Sequence, residues 1–305
     1  LGSNQIKFSI LITTKNRLED LLYTLSKIKY LLEREDTECV ICDDGSDDQT
    51  YQTIKATFPE IKLLKNKVSK GLIYSRNRLM KASVGDYAIS IDDDLHFITS
   101  NPFERIEVFF QKHPKCAVQS FRIFWDKNEP ERTATTQTSE IVNGYAGGAH
   151  VFRRTAWKEI PDYPDWFVFY GEENFASQQL YKKGWEVHYV PEILVNHRVD
   201  LKNRIGGTDY RLRQRRALRA GWYLYFMFCP WQFLPKKVVY TLWMQVKTKV
   251  IAYRSFFFFT VVLQALWDVF INLPRLMRGS NRFTIEEYEE FIKLPAVKLY
   301  WKLDE

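Results

Sequence analysis

The sequence predicts an α/β protein: a mostly parallel central sheet flanked by helices, followed by a helical C-terminal region. Three observations predict it. Short apolar runs alternate with stretches of helical period through the first two-thirds of the chain. Of the 305 residues, 46% are hydrophobic and 16% aromatic, which supports a sizeable core and excludes a disordered chain. The charge is divided: residues 200–305 hold 18 of the 44 basic and 9 of the 37 acidic residues, a net of +9, while residues 1–199 net −2. An acidic-leaning body at 1–199 joined to a basic, aromatic tail at 200–305 suggests two roles.

The elements follow in order. Residues 7–13 (KFSILIT) read as a first strand, and Leu18, Leu21, Leu22, Leu25 and Ile28 then recur at helical spacing. A second strand, 38–42, runs into the acidic turn 43–48, whose side chains can cap a helix over Thr50–Thr57. Residues 61–64 form a third strand, Leu72–Ala82 a helix closed by Gly85, and 87–91 a fourth strand ending on three aspartates. Asn101, Pro102 and Glu104 read as N-cap, first helical position and first-turn acid, and His113-Pro114 ends that helix. A strand at 117–124, a polar loop at 127–140, a strand at 147–152, a helix at 172–183 stopped by Gly184, and strands at 185–190 and 193–195 complete the body.

Some classes are excluded by the same reading. Four cysteines in this length fit a reduced compartment better than a disulfide-stapled module. Leu1-Gly2-Ser3-Asn4-Gln5 is polar, so no secretory signal is expected there. The apolar stretches 255–273, with Gln264 and Asp268, and 222–234, with Pro230, fall short of a spanning helix.

Two acidic turns carry the functional signal. In sheets of this kind ligands sit beyond the carboxyl ends of the strands, where both 43–48 and 92–94 fall. Asp92, Asp93 and Asp94 repel one another unless a cation or donors compensate. Hard oxygen ligands select magnesium, manganese or calcium, commonly shared with substrate phosphates. A solvated acidic turn would read the same in isolation. The second turn shifts the balance toward a metal-bound nucleotide, with one carboxylate left to accept from a base or ribose.

Glu172 and Glu173 open a helix, where the dipole favours ionised carboxylates. They point about 100° apart, so one can act as general base on a hydroxyl while the other binds it. His197, beyond another strand end, can complete a carboxylate–histidine metal site. His96, His113, His150 and His188 are read as structural. So is Cys39-x-x-Cys42, whose members face opposite sides of a strand.

Together these residues resemble the family-two glycosyltransferases of the GT-A fold, inverting enzymes that use nucleotide-diphosphate sugars. The resemblance covers residues 8–199. Residues 8–17 (FSILITTKNR), with Thr13, Thr14, Asn16 and Arg17, are similar to the family's opening strand and nucleotide loop, and Asp43-Asp44-Gly45-Ser46-Asp47 to its nucleotide-binding turn. Lys70-Gly71, Arg76-Asn77 and 85–94 resemble the stretch leading into the D-x-D metal motif. Gly147-Gly148 with Arg153-Arg154 resembles the acceptor-side strand, and Gly171-Glu172-Glu173 stands where the family has its acidic pair, the second acid being the base. The chain departs from the pattern at Thr13-Thr14-Lys15, in place of Pro-Thr-Tyr, and at Glu173, where Asp is commoner. The second departure leaves the choice between Glu172 and Glu173 open.

The resemblance implies manganese or magnesium held by Asp92, Asp94 and His197. It puts Asp44 with Thr13 or Thr14 on the nucleobase and Asp92 on the ribose. Asp43, Gly71, Arg76, Asn77 and Asp93 fall in the same nucleotide-sugar site, and Gly147, Gly148 and Glu172 beside the sugars. A UDP-sugar donor is favoured over dTDP, with a glycan or lipid-linked acceptor in cell-surface polysaccharide synthesis. A nucleotidyltransferase would need a glycine-rich phosphate loop, and 13–17 has no glycine. A non-catalytic nucleotide-sugar-binding or membrane-scaffold protein with the same fold is the alternative.

In the tail, 210–219 (YRLRQRRALR) holds five arginines ahead of the aromatic run 222–226, and Lys236, Lys237, Lys247, Lys249 and Arg254 punctuate further apolar stretches. Basic, aromatic, amphipathic helices of this kind read as peripheral attachment to an anionic membrane surface through 210–278, on the cytoplasmic face. A helical subdomain that packs its aromatics on the body is the competing reading. Nucleic-acid binding is not favoured.

Overall fold

A computed structural model describes residues 5–199, 209–252 and 256–298; Arg254 lies outside them. The body runs β1 (Phe8–Thr14), α1 (Leu18–Lys27), α2 (Lys29–Leu32), β2 (Thr37–Asp43), α3 (Thr50–Thr57), β3 (Lys62–Lys65), α4 (Leu72–Ala82) and β4 (Tyr87–Asp92). It continues with β5 (Leu95–Phe97), α5 (Pro102–Lys112), β6 (Cys116–Trp125), β7 (Glu140–Ile141), β8 (Ala149–Arg153), α6 (Arg154–Trp157), α7 (Glu172–Lys182) and β9 (Glu186–His197). The tail comprises α8 (Tyr210–Phe228), α9 (Leu234–Gln245), a π-helical turn (Val246–Ile251), α10 (Phe256–Arg278) and α11 (Ile285–Phe291).

The sheet has the order β3-β2-β1-β4-β8-β6-β9-β5, with β7 added on β9. Its first four strands are parallel, as the alternation of elements predicts. The second half is mixed: β8 runs antiparallel to both β4 and β6, and β9 parallel to β6. Both faces are covered, so the strands read as continuous apolar runs. On β1, Ile10 and Ile12 pack with Leu21, Leu25 and Phe103 on one side, while Leu11 packs with Ile73 and Leu79 on the other. Cys39 and Cys42 fall in these two separate cores, as strand alternation requires, and all four cysteines are buried free thiols.

Two local expectations change and one holds. Asn101 takes a left-handed conformation (φ 52°) and makes no side-chain cap, so α5 begins on Pro102 by its fixed φ alone. The acidic turn does cap α3, through Asp48 Oδ1 accepting from Thr50 N at 2.9 Å. The two strands expected at 185–190 and 193–195 are one strand, β9, whose register on β6 slips between Phe121 and Arg122. Pro191 lies in that irregular stretch, where its missing N–H costs no ladder bond.

The tail helices share the core of the body. From α8, Trp222, Tyr223, Met227 and Phe228 are buried, with Tyr223 against Trp166 and Phe167, and Phe228 against Phe175. Asp268 does not interrupt an apolar face; it is buried against the protein, accepting from Arg215 Nε at 2.7 Å and Arg219 Nη1 at 3.3 Å. The opposite side of α10 carries Phe256, Phe259, Leu263, Trp267, Phe270 and Ile271 exposed. By length and composition α10 is able to cross a membrane, which the sequence reading of 255–273 did not anticipate because it counted Asp268 against the helix as a whole.

Candidate active site

The site forms where β4 and β9 end. β5 folds back along β9 with Leu95 opposite His197, and this hairpin-like return brings Asp92, Asp94 and His197 together. Their ligand atoms all lie within 4.8 Å of one another. His197 Nε2 stands 2.9 Å from Asp94 Oδ1 and 3.8 Å from Asp92 Oδ2. Asp94 Oδ1 is buried with no partner in hydrogen-bonding geometry. A buried carboxylate oxygen left without a directed donor, beside an imidazole and a second carboxylate, fits a hard divalent cation. Burial works against the charge of Asp94, but His197 and Arg17 together hold its carboxyl well below the usual range.

Asp93, in the turn between β4 and β5, points away from this cluster. It accepts from Thr14 Oγ1 at 2.8 Å and Arg17 Nη1 at 2.7 Å, which ties the end of β4 to the loop after β1. Asn16 (φ 53°) joins that loop to the second acidic turn: its N–H donates to Ser46 Oγ and its Oδ1 accepts from Asp47 N. Asp44 is fully occupied. Its two oxygens accept from Asn66, Ser69, Ser75 and the backbone N–H groups of Lys70 and Gly71, which hold it below the usual carboxylate range although burial opposes them. It therefore folds the loop and has no oxygen free for a nucleobase. Asp43, beside Thr14 in the sheet register, keeps Oδ2 buried and without a partner, and so does Thr13 with its Oγ1.

Arg76 connects the metal-binding cluster to the glutamates. Buried on α4, it donates to Glu172 Oε1 at 2.8 Å and to Gly147 O at 2.6 Å, and its Nη2 lies 3.4 Å from Asp92 Oδ1. Its Nη1 is 3.6 Å from Glu173 Oε1. Burial raises both glutamates, and the nearby Glu173 charge pushes Glu172 further. Glu172 is almost wholly enclosed, whereas the side chain of Glu173 is 23% exposed and faces the cavity.

That cavity, of about 500 Å³, is lined by Arg76, Asp92, Gly147, Gly148, Glu172, Glu173 and His197. A Cβ on Gly147 would stand 1.9 Å from Glu173 Oε1, and one on Gly148 would stand 2.9 Å from Asp92 Oδ2. The two glycines thus let backbone approach the carboxylates. Gly147→Ala is expected to displace Glu173 and lower turnover on the order of 10²-fold, with an unchanged circular dichroism spectrum; full activity in the variant would show that Glu173 is not where the chemistry occurs.

Not every residue from the sequence reading reaches the cavity. Asn77 bonds the backbone of Tyr163 through both its amide groups, and Gly71 (φ 96°) serves the Asp44 loop. Neither lines the cavity, and nor do Thr13, Thr14, Asn16, Arg17, Asp43, Asp44 or Asp93. Other residues were missed. Val168 and Tyr170 have φ of 70° and 72°, an unfavourable conformation for a β-branched and an aromatic residue. They flank Phe169, and Phe169 and Tyr170 form one wall. Ala217, Ala220, Gly221 and Leu224 of α8 form another. Their i, i+3, i+4, i+7 spacing was the available signal. Trp125, which donates to His197, had none.

The family's sequence model matches residues 9–221. The chain belongs to glycosyl transferase family 2. Among solved structures it is similar to GalNAc-T7 with UDP, GalNAc and Mn2+, at 19% identity and a TM-score of 0.57, over 74% of this chain and 48% of that one. It is also similar to S. aureus TarS 1–349 in complex with UDP, at 17% identity and a TM-score of 0.52, over 72% and 65%. The mannosyltransferase PcManGT from Pyrobaculum calidifontis, in complex with GDP-Man and Mn2+, is 12% identical with a TM-score of 0.54, over 95% and 79%. At these identities the likeness establishes the GT-A fold. This family 2 chain spans about half the length of GalNAc-T7 and just under two-thirds of the TarS fragment. No curated protein sequence matches it.

Proposed function

We propose that the chain is an inverting glycosyltransferase that moves a sugar from a nucleotide-diphosphate donor to an acceptor hydroxyl. One observation carries the reading: Asp92 and His197 of the metal-ligand cluster line the same cavity as Glu173, bridged by Arg76. Asp92, Asp94 and His197 would hold manganese or magnesium. When bound, such a cation stabilises charge on the departing nucleoside diphosphate. Asp43 and Thr13, with their unpartnered oxygens, replace Asp44 as the groups that meet the nucleobase. Glu173 takes the proton of the acceptor hydroxyl as it attacks the anomeric carbon from the face opposite the leaving group. Glu172 orients acceptor or donor hydroxyls, and Arg76 fixes both glutamates.

GalNAc-T7 and the TarS fragment both contain UDP, which supports a UDP-sugar over dTDP. The reading is tested by incubating the protein and Mn2+ with UDP-, dTDP- and GDP-sugars and following donor consumption by proton NMR. Product carrying the anomeric configuration opposite to the donor's is expected; retained configuration would remove Glu173 from the base role.

The same proposal places the enzyme on the cytoplasmic face of a membrane, with a glycan or lipid-linked acceptor for surface polysaccharide. The exposed stripe on α10, with Val239, Tyr240 and Trp243 of α9, supports it, as do Lys236, Lys237 and Lys247 nearby. Because Asp268 and its arginines pin the other face of α10 to the protein, the helix lies in the interface and does not span it. Burying each large apolar side chain stabilises by roughly 1.5–3 kcal/mol, against about 1 kcal/mol for each lysine near anionic lipid. Binding to phosphatidylglycerol vesicles is therefore expected to weaken in high salt but persist, and to be lost in a Trp267→Glu, Phe270→Glu variant that keeps donor binding. Vesicle co-sedimentation reads both outcomes.

A further inference from the structure

Trp125 holds one ring nitrogen of His197 in a way that conflicts with metal ligation by the other. Trp125 ends β6 directly across from His197 on β9, and its indole N–H donates to His197 Nδ1 at 2.6 Å. An indole nitrogen can only donate. Nδ1 must therefore be the bare nitrogen, and a neutral imidazole with Nδ1 bare carries its hydrogen on Nε2. Nε2 is the nitrogen that faces Asp94 and Asp92. A nitrogen bearing hydrogen has no lone pair for a cation. A metal-ligating histidine instead donates its other ring N–H to a carboxylate, carbonyl or water, none of which an indole N–H can replace. Flipping the ring does not help, because it swaps Nδ1 for a carbon and breaks the Trp125 bond as well.

We infer that Trp125 is a positioning residue that holds His197 in the tautomer unable to ligate metal, so that the Trp125–His197 bond and a His197–metal bond exclude each other. The inference rests on the metal site proposed above. Cation binding requires the indole to leave Nδ1 and an acceptor, such as water, to take its place. Trp125 also lines the cavity, and no helix or strand intervenes between it and β7. Its release therefore changes one wall of the cavity as the cation arrives, coupling metal loading to the shape of the substrate site.

Mn2+ titrated into the full chain, with the free ion read by electron paramagnetic resonance, tests this directly. Trp125→Phe keeps a ring and removes the N–H, so it is expected to bind Mn2+ roughly two- to tenfold more tightly, the range of one hydrogen bond. Damaged packing would loosen the site, so tightening is the diagnostic sign. A second readout uses the wild-type indole resonance in 1H–15N spectra, assigned by its loss in the variant. It is expected to shift upfield at saturating Mg2+ as the bond to His197 breaks. Unchanged or weaker Mn2+ binding by Trp125→Phe overturns the inference, and so does an indole resonance that keeps its position. Failure of the wild type to bind Mn2+, or binding that survives Asp94→Ala, overturns the metal site itself and the inference with it.

Discussion

Glu173→Gln is expected to lower kcat on the order of 10²–10⁴-fold, the usual contribution of a positioned general base, while leaving nucleotide and metal affinity within about twofold of wild type. The amide keeps the size of the side chain and its contact with Arg76 but cannot take a proton. Glu172→Gln has a different signature. Glu172 is enclosed and paired with Arg76 at 2.8 Å. Its replacement removes a charge-assisted bond, so Arg76 loosens its hold on Gly147 and Asp92. Both kcat and KM are then expected to worsen, together with some loss of stability. The pH profile separates the two acids further. Burial raises Glu173, with Arg76 opposing it, and the base must be ionised to act. Its rate is therefore expected to fall on acidification at a pH above the ordinary glutamate value, and this acid limb should disappear in Glu173→Gln. A Glu173→Gln variant with normal turnover would remove the base from this account.

The second large effect belongs to Asp94. Partners that merely orient a ligand typically contribute 10–100-fold to metal affinity, so removing a ligand is expected to cost roughly 10²-fold or more. Asp94→Ala should therefore show no Mn2+ binding in the range where the wild type saturates. Loss of Asp94 also removes one of the two partners of Arg17 Nη2, which bonds it at 2.7 Å and Asp20 at 3.0 Å. Arg17 still holds Asp93 and Asp20, so the loop after β1 is expected to stay in place and the fold to persist. Equilibrium dialysis with Mn2+, beside a thermal melt, distinguishes lost ligation from lost structure.

How much of this was legible in the sequence depends on how local the cause is. The parallel half of the sheet was legible because each strand is a continuous apolar run that ends on polar residues, and both acidic turns do lie at strand ends. The acidic pair on α7 and the Asp92–Asp94–His197 grouping were legible as an ordered set of motifs. The missing pieces are set by contacts between distant residues. β9 reads as two strands because Pro191 signals a break, and only its pairing with β6 shows that the register slips and continues. Asp44 and Asp43 are indistinguishable as neighbours in an acidic turn; five donors from 66–75 single out Asp44 as the structural one. The role of α8 was divided between two readings, a membrane-facing segment and a helix packed on the body. Its Trp222, Tyr223 and Phe228 took the second, while the outer stripe of α10 kept the apolar exposure that motivated the first. Asp268 shows why composition misled: one buried aspartate paired with Arg215 says nothing about the opposite face of the same helix.

The central claim is that the acidic cluster and the nucleotide loops form one metal-dependent donor site. Calorimetric titration of UDP into the wild-type protein, with and without Mn2+, tests it most directly. The account predicts measurable binding that requires Mn2+ and vanishes in Asp94→Ala. UDP binding that is indifferent to the metal, or no nucleotide binding in either condition, would contradict it.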